Sequence, residues 1–326
     1  MLLWVLIAVM VLAWSGNFII AKFTLRELPP FALLFLRVLF SNGLLLAVYL
    51  SSRQHRRQPL QRGDWKWFAL LGLFGIALNQ AGFTVGLHHT TVSHSSLIIS
   101  LSPLFVLILA SRMQLERFTR QKLAGMALSF AGVGVLTLEH GAGTRNPTFL
   151  GDLLTFGGSL AFALYTVYGK KVAARYDTLT MNTFTYLAGL IVVTPLAGWE
   201  LFEVNWAAVT WKGWLGVAYM AAMASVAAYM IFYYALSKIS ASRVIAFSYL
   251  QPVLATVLAI LFLGERVTPH LLVGGSLVLV GVALAERDRL GAAALTWPRA
   301  RPKMAANGVP AYDWPHARPL PHHRED

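Results

Sequence analysis

Leu97–Arg117, LIISLSPLFVLILASRMQLER, and Ala246–Arg266, AFSYLQPVLATVLAILFLGER, resemble each other in register, 149 residues apart. Pro103 stands in register with Pro252 and Glu116 with Glu265. Further on, Gly125 matches Gly274 and Gly132 matches Gly281. Each stretch carries an apolar run long enough to cross a bilayer. Self-similarity at about half the chain length marks an internally duplicated membrane fold, whose central site lies near the interface of the repeats.

Of the 326 residues, 57% are hydrophobic and 13% charged, against about 25% charged in a soluble domain. Ten apolar runs fall at about 2–23, 31–51, 66–88, 92–111, 121–139, 150–171, 179–199, 213–236, 243–263 and 269–286. Peptide groups facing lipid must bond within their own segment, so the runs are expected to be helices. The expected fold is therefore all-α integral membrane, with ten transmembrane helices as two inverted five-helix repeats. Five is odd, so the second repeat enters the membrane upside down. The first repeat spans 1–139 and the second 150–286, joined by an external loop (EHGAGTRNPT, 139–148). Residues 287–326 read as a disordered, basic, Pro-rich cytoplasmic tail. The first run has no Lys or Arg before it and no small-residue cleavage site, so it reads as retained rather than as a signal peptide.

The net charge of +13 is explained by topology. With both termini inside, 21 of the 27 Lys and Arg fall on cytoplasmic segments and five on external ones. That is a positive-inside distribution, and it removes the reason to invoke nucleic acid. Trp65, Trp67, Trp199, Trp211 and Trp214 stand at run ends, where indole rings anchor at the membrane interface. There is no cysteine, which excludes disulfides, thiolate metal sites and iron–sulfur clusters.

Pro103 and Pro252 lie within spans four and nine. Proline removes a donor and frees the carbonyl four residues back, here Ile99 and Ser248. Breaks at matching positions of two halves point to a central site, so both prolines are candidate hinges. Ser100, Ser102, Ser248, Tyr249 and Gln251 would offer hydrogen bonds there. Span three carries Asn79, Gln80, Phe83 and Thr84. In the same register Gln80 matches Tyr229, Phe83 matches Phe232 and Thr84 matches Tyr233. Residues four apart share a helix face, and polar groups at this depth line cavities or tie helices together. Trp14, Ser15 and Asn17 match span six more loosely, where Tyr165 lies beside Thr166, and are expected to pack. The candidate substrate-binding set is Asn79, Gln80, Phe83, Thr84, Ser102, Tyr165, Tyr229, Tyr233, Tyr249 and Gln251.

Arg37 is the one formal charge within a span. It can snorkel outward, face a substrate carboxylate or pair with Glu27, and pairing is the expectation. His88, His89 and His94 cluster near an external turn and read as exposed loop residues. No Asp or Glu lies near the middle of a span, so the usual carboxylate relay for protons or cations is missing. No metal site and no cofactor are expected. Thr119 and Thr268-Pro269 read as helix starts, and Glu116-Arg117 and Glu265-Arg266 as connectors. Gly125, Gly132, Gly274 and Gly281 are expected to let helices approach closely.

At these residues, SPLFVLILASRMQLERFTRQKLAGMALSFAGVGVL and QPVLATVLAILFLGERVTPHLLVGGSLVLVGVAL, the chain resembles the drug/metabolite transporter superfamily, specifically the ten-span EamA-type permeases. The half ending in Gly264-Glu265-Arg266 follows the family pattern, while Leu115 replaces the usual glycine in the first half. The resemblance implies a central cavity lined by spans 1, 3, 4, 6, 8 and 9, and export of a small metabolite by alternating access. Aromatic and polar groups without a carboxylate suit a neutral or aromatic amino acid. An intramembrane enzyme and a non-transporting receptor are the alternatives, and no nucleophile–base motif stands at span depth for the former. The expected partners are a small-molecule substrate and membrane lipid, with a homodimer as a candidate assembly. The expected location is the bacterial inner membrane, multi-pass, with both termini cytoplasmic.

Overall fold

The structure, a computed structural model, describes residues 2–52, 60–112, 119–139, 146–173, 175–239, 244 and 250–295. The described residues form helices joined by short connectors, with no strand among them. In chain order they form α1 (Leu2–Thr24), α2 (Pro30–Ser51), α3 (Trp65–Leu71), α4 (Asn79–His89), α5 (Val92–Ile99), α6 (Ser102–Arg112) and α7 (Arg120–Thr137). There follow α8 (Pro147–Ala173), α9 (Thr178–Glu203), α10 (Trp211–Tyr219), α11 (Ala228–Lys238), α12 (Leu250–Leu263) and α13 (Pro269–Leu295). Helix lies on each of the ten apolar runs. Among the described residues seven helical stretches are long and apolar enough to cross a membrane, and Leu250–Leu263 and Pro269–Ala285 are shorter apolar helices. α7 falls outside the seven because its first turn carries Arg120, Gln121 and Lys122. The chain is a multi-pass membrane protein.

The helix starts follow from local chemistry. Pro30, Pro147 and Pro269 open α2, α8 and α13, where the missing N–H has no helical partner to lose. The hydroxyls of Thr91, Thr119 and Thr210 accept from backbone N–H groups two or three residues on, as N-caps do. Thr268 accepts from the Leu271 N–H at 3.1 Å. Acidic side chains reach across the fold to cap other helices. Glu200 accepts from Phe31 and Ala32 N–H at 2.7 and 2.9 Å. Glu265 accepts from Val92 N–H at 2.7 Å and from Ser93 N–H at 3.1 Å. Glu265, expected only as a connector, thus closes the start of α5, where a negative charge meets the positive helix end.

α7 and α13 pack backbone to backbone. A Cβ on Gly125 would meet the Gly281 carbonyl oxygen, and one on Gly281 would meet that of Gly125. Gly132 and Gly274 meet in the same reciprocal way, as their spacing predicted. Small residues permit this approach, and dispersion between close backbones holds it in lipid.

Span four breaks where Pro103 forbids a continuous ladder. α5 ends at Ile99 and α6 begins at Ser102. Leu101 N–H turns back to the Ile98 carbonyl at 3.1 Å, and Leu101 carbonyl accepts from Leu104 at 2.9 Å. Pro252 sits in the first turn of α12. Two further irregularities have no counterpart in the sequence reading. Residues Gly72–Leu78 and Met220–Ala227 form π-helix between α3 and α4 and between α10 and α11. Their starts lie 148 residues apart and their ends 149, so the π-segments occupy matching places in the two halves. Each widened turn ends where α4 or α11 begins, which sets the direction of the side chains that follow.

Candidate functional site

A cavity of about 600 Å³, counting its open mouth, lies among α1, α2, α4, α5, α6, α8, α11 and α12. From the candidate set it brings together Asn79, Gln80, Phe83, Ser102, Tyr229 and Gln251. The two π-segments aim this wall. Asn79 and Gln80 open α4, and Tyr229 follows Ala228 at the start of α11. Tyr229 donates its hydroxyl to Asn79 Oδ1 at 3.2 Å, joining the two helices. Asn79 in turn donates to the Gly158 carbonyl at 3.0 Å. Gln80 Nε2 donates to the Tyr186 hydroxyl at 3.1 Å, which leaves Gln80 Oε1 without a partner.

The other candidates are placed differently. Tyr165 and Tyr233 are buried one layer behind the wall, the Tyr165 ring 5.9 Å from Tyr229 and 5.4 Å from Tyr233. Tyr165 braces Tyr229, Tyr233 backs Tyr165, and neither lines the cavity. Thr84 is fully buried beside the wall without lining it. Pro103 and Pro252 are buried at the starts of α6 and α12. Tyr249 and Ser248 lie outside the described residues, as do Glu116-Arg117 and most of the 287–326 tail.

The serines beside Pro103 also mend the backbone. The Ile99 carbonyl that Pro103 frees is taken by the Ser102 hydroxyl at 2.7 Å. Ser102 also shares a hydrogen bond with Ser159 at 2.8 Å. Ser100 donates to the Leu97 carbonyl at 2.6 Å. These hydroxyls repair the broken ladder, because an unmet carbonyl inside the membrane costs several kcal/mol, on the order of a lost hydrogen bond in hydrocarbon.

Sequence reasoning placed Trp14 and Asn17 in packing and Arg37 in an ion pair, and all three line the cavity. Trp14 donates its indole N–H to the Ala224 carbonyl at 3.0 Å, inside the second π-segment. Its ring meets Tyr229 at 5.7 Å and Phe162 at 6.0 Å, edge to face. Glu27 is spent elsewhere: it accepts from the Thr210 N–H and hydroxyl at 2.8 and 2.9 Å. Arg37, only 3% exposed, donates through Nε to Ser225 Oγ at 2.8 Å. The signal that could have found Asn17 and Arg37 is strong polarity within long, mainly apolar runs.

The histidine expectation is also corrected in part. His88 is exposed and touches His89 at 4.9 Å between ring centres. His94 is buried in the first turn of α5, with Nδ1 3.1 Å from Asp152 and Nε2 3.1 Å from Glu139. Among the described residues no group of three His, Cys, Asp or Glu could hold a metal ion.

The arrangement can enclose a small solute against aromatic faces and present it with amide and guanidinium groups. Comparisons with known proteins agree with a carrier. An uncharacterized transporter of Archaeoglobus fulgidus is 31% identical over 283 residues, covering 86% of this chain and 95% of that protein. A probable terminal-alkyne amino-acid exporter of Streptantibioticus cattleyicolor is 28% identical over 235 residues, covering 72% and 77%. A solved crystal structure with 20% identity superposes with a TM-score of 0.63 over 88% of this chain and 97% of its own, a likeness of fold. The EamA-like transporter family matches residues 1–138 and again 149–286, nearly the whole of the helical chain, and the protein belongs to that family.

Proposed function

We propose that the protein is an exporter of a small metabolite, an amino acid with an apolar or aromatic side chain, working by alternating access and catalysing no reaction. In this reading the chain has ten spans as inverted repeats 1–139 and 150–286, with both termini in the cytoplasm of a bacterial cell and the cavity at the repeat interface. One observation carries the reading. The cavity wall is built from both halves at once, with Gln80 and Phe83 from one and Tyr229 and Gln251 from the other. Rocking one half against the other would open such a site to each side in turn. The reciprocal glycine packing of α7 on α13 supports the pseudo-symmetry, and the relative named as an amino-acid exporter supports the solute class.

Counterflow in liposomes tests it. Purified protein preloaded with an unlabelled L-amino acid should accumulate the labelled one, across a panel that includes Phe, Tyr, Leu and Val. No counterflow with any member, from protein that is monodisperse in detergent, refutes the substrate class. Orientation is tested by reporter fusions. A periplasm-active reporter should work when joined within 205–210 and fail after Arg57.

A further inference from the structure

Among the described residues, Arg37 is the single charged one lining the cavity. Its guanidinium makes one hydrogen bond, Nε to Ser225 Oγ, and lies 6.0 Å from the Phe83 ring centre. Among the described residues no carboxylate forms an ion pair with it, and its terminal nitrogens donate to no protein acceptor. Glu27, its nearest acidic neighbour in sequence, is bonded to Thr210 instead. A buried guanidinium left without a counter-charge is costly, and chains keep such a group where a ligand supplies the charge. Three more cavity side chains are almost fully buried with one atom each unpartnered: Gln251 Nε2, a donor, and Asn17 Oδ1 and Gln80 Oε1, acceptors. The fold thus leaves one positive charge, one neutral donor and two acceptors facing a space with aromatic walls.

We propose that the cavity takes a solute bearing one carboxylate, with Arg37 as its counter-ion. The proposal rests on the reading of this cavity as the solute site and narrows it. The planar guanidinium offers two parallel N–H groups to the two carboxylate oxygens. Asn17 Oδ1 and Gln80 Oε1 then accept from an amino or hydroxyl group of the same molecule. An ammonium held only by amide oxygens, with Arg37 nearby and no acidic residue in the wall, is repelled unless a carboxylate accompanies it. Amines and esters are therefore excluded. A phosphate dianion brings two charges against one. A chloride ion would leave the three amide atoms unmet.

The experiment pairs each of a panel of acids with its own primary amide. 3-Phenylpropanoate, L-phenylalanine, L-leucine and lactate are compared with 3-phenylpropanamide, phenylalaninamide, leucinamide and lactamide. Binding to the full-length protein in detergent is read by the shift of its unfolding midpoint and by quenching of its tryptophan fluorescence. At least one acid should bind, and its amide should bind about 10- to 100-fold more weakly, the loss of a charge-assisted hydrogen bond pair. Arg37→Gln should abolish the preference for acid over amide. Arg37→Lys should keep the preference at lower affinity, and Arg26→Gln, on an exposed position, should change nothing. If Arg37→Gln does not fold, the acid–amide comparison on the unaltered protein still decides. Acids and amides binding alike, or no acid binding up to 10 mM (about 2.7 kcal/mol of binding free energy), overturns the proposal. Counterflow of whichever acid binds separates the two readings. Binding without counterflow leaves Arg37 as the carboxylate site and refutes transport of that solute.

Discussion

Replacing Gly125 by alanine should loosen the seam between α7 and α13 more than its one methyl group suggests. The new Cβ would stand 2.4 Å from the Gly281 carbonyl oxygen and 2.5 Å from the Ala285 nitrogen. Ordinary contact begins near 3.4 Å, so the helices must separate locally by about 1 Å, the shortfall in that contact distance. The atoms in the way are backbone, and no side chain can swing clear. Overpacking of this kind costs about 1–3 kcal/mol. Gly134 sits on the same helix with nothing within 4 Å of an added Cβ. There alanine should stabilise by about 1 kcal/mol through helix propensity. The two variants should therefore differ by about 2–4 kcal/mol in the same direction in any host micelle. SDS titration of the purified protein, followed by far-ultraviolet circular dichroism, measures the difference. The double variant Gly125→Ala/Gly132→Ala should lose less than the sum of its parts, since a seam already opened has room for the second methyl. Gly125→Ala as stable as Gly134→Ala would refute the close seam, and with it the strongest support for pseudo-symmetric halves.

Other outcomes are expected. Gln80→Ala or Tyr229→Ala should lower transport several-fold at unchanged membrane level, because each removes a polar group of the wall; wild-type rates from both would place the site elsewhere. Glu265→Ala should destabilise the protein by about 0.5–2 kcal/mol, since Val92 and Ser93 N–H lose their acceptor, and Glu265→Gln should recover part of that in the same SDS titration. Gly264 has φ +68° at the end of α12. Gly264→Ala should cost about 1 kcal/mol through left-handed backbone alone, and a neutral result would show that the turn relaxes.

Much of the architecture is legible because lipid simplifies the code. A bilayer demands length and apolarity, so the runs announce themselves, and Pro, Thr and Gly mark their breaks, starts and seams one residue at a time. Gln80, Ser102, Tyr229 and Gln251 were found by register because duplication prints each wall position twice. The reading failed where a residue has no twin or where its partner lies far along the chain. Arg37 has no matching charge in the second half, and its nearest acidic neighbour in sequence proved to be bonded to Thr210. His94 seemed a loop residue because nothing local foretells Asp152 and Glu139 on either side of it. The π-segments are invisible to a 3.6-residue period. Small residues recur in both, GLFGIAL and MAAMASVA, but that composition also fits an ordinary close-packed helix.

The placement of charge ties these observations together. Four of the described acidic groups close helix starts. Glu27, Glu200 and Glu265 accept from N–H groups at the starts of α10, α2 and α5. Asp177 accepts from Leu179 and Thr180 at the start of α9. Asp64 holds Arg175 at 3.0 Å and the Tyr176 hydroxyl at 2.7 Å, and burial together with that carboxylate pushes the Tyr176 phenol above its ordinary value. Lys22 follows the same rule with opposite sign, donating to the Leu87 and Thr90 carbonyls at the end of α4. Charges at the ends of helices are cheap, because each meets the dipole it complements and lies near water. A charge at the centre is expensive, and the chain keeps one. Had Arg37 served only to bind helices together, a carboxylate within reach would have cost less than leaving it bare. Its isolation in a cavity otherwise lined by amides and rings is what a site for an anionic group requires, and what a packing residue does not.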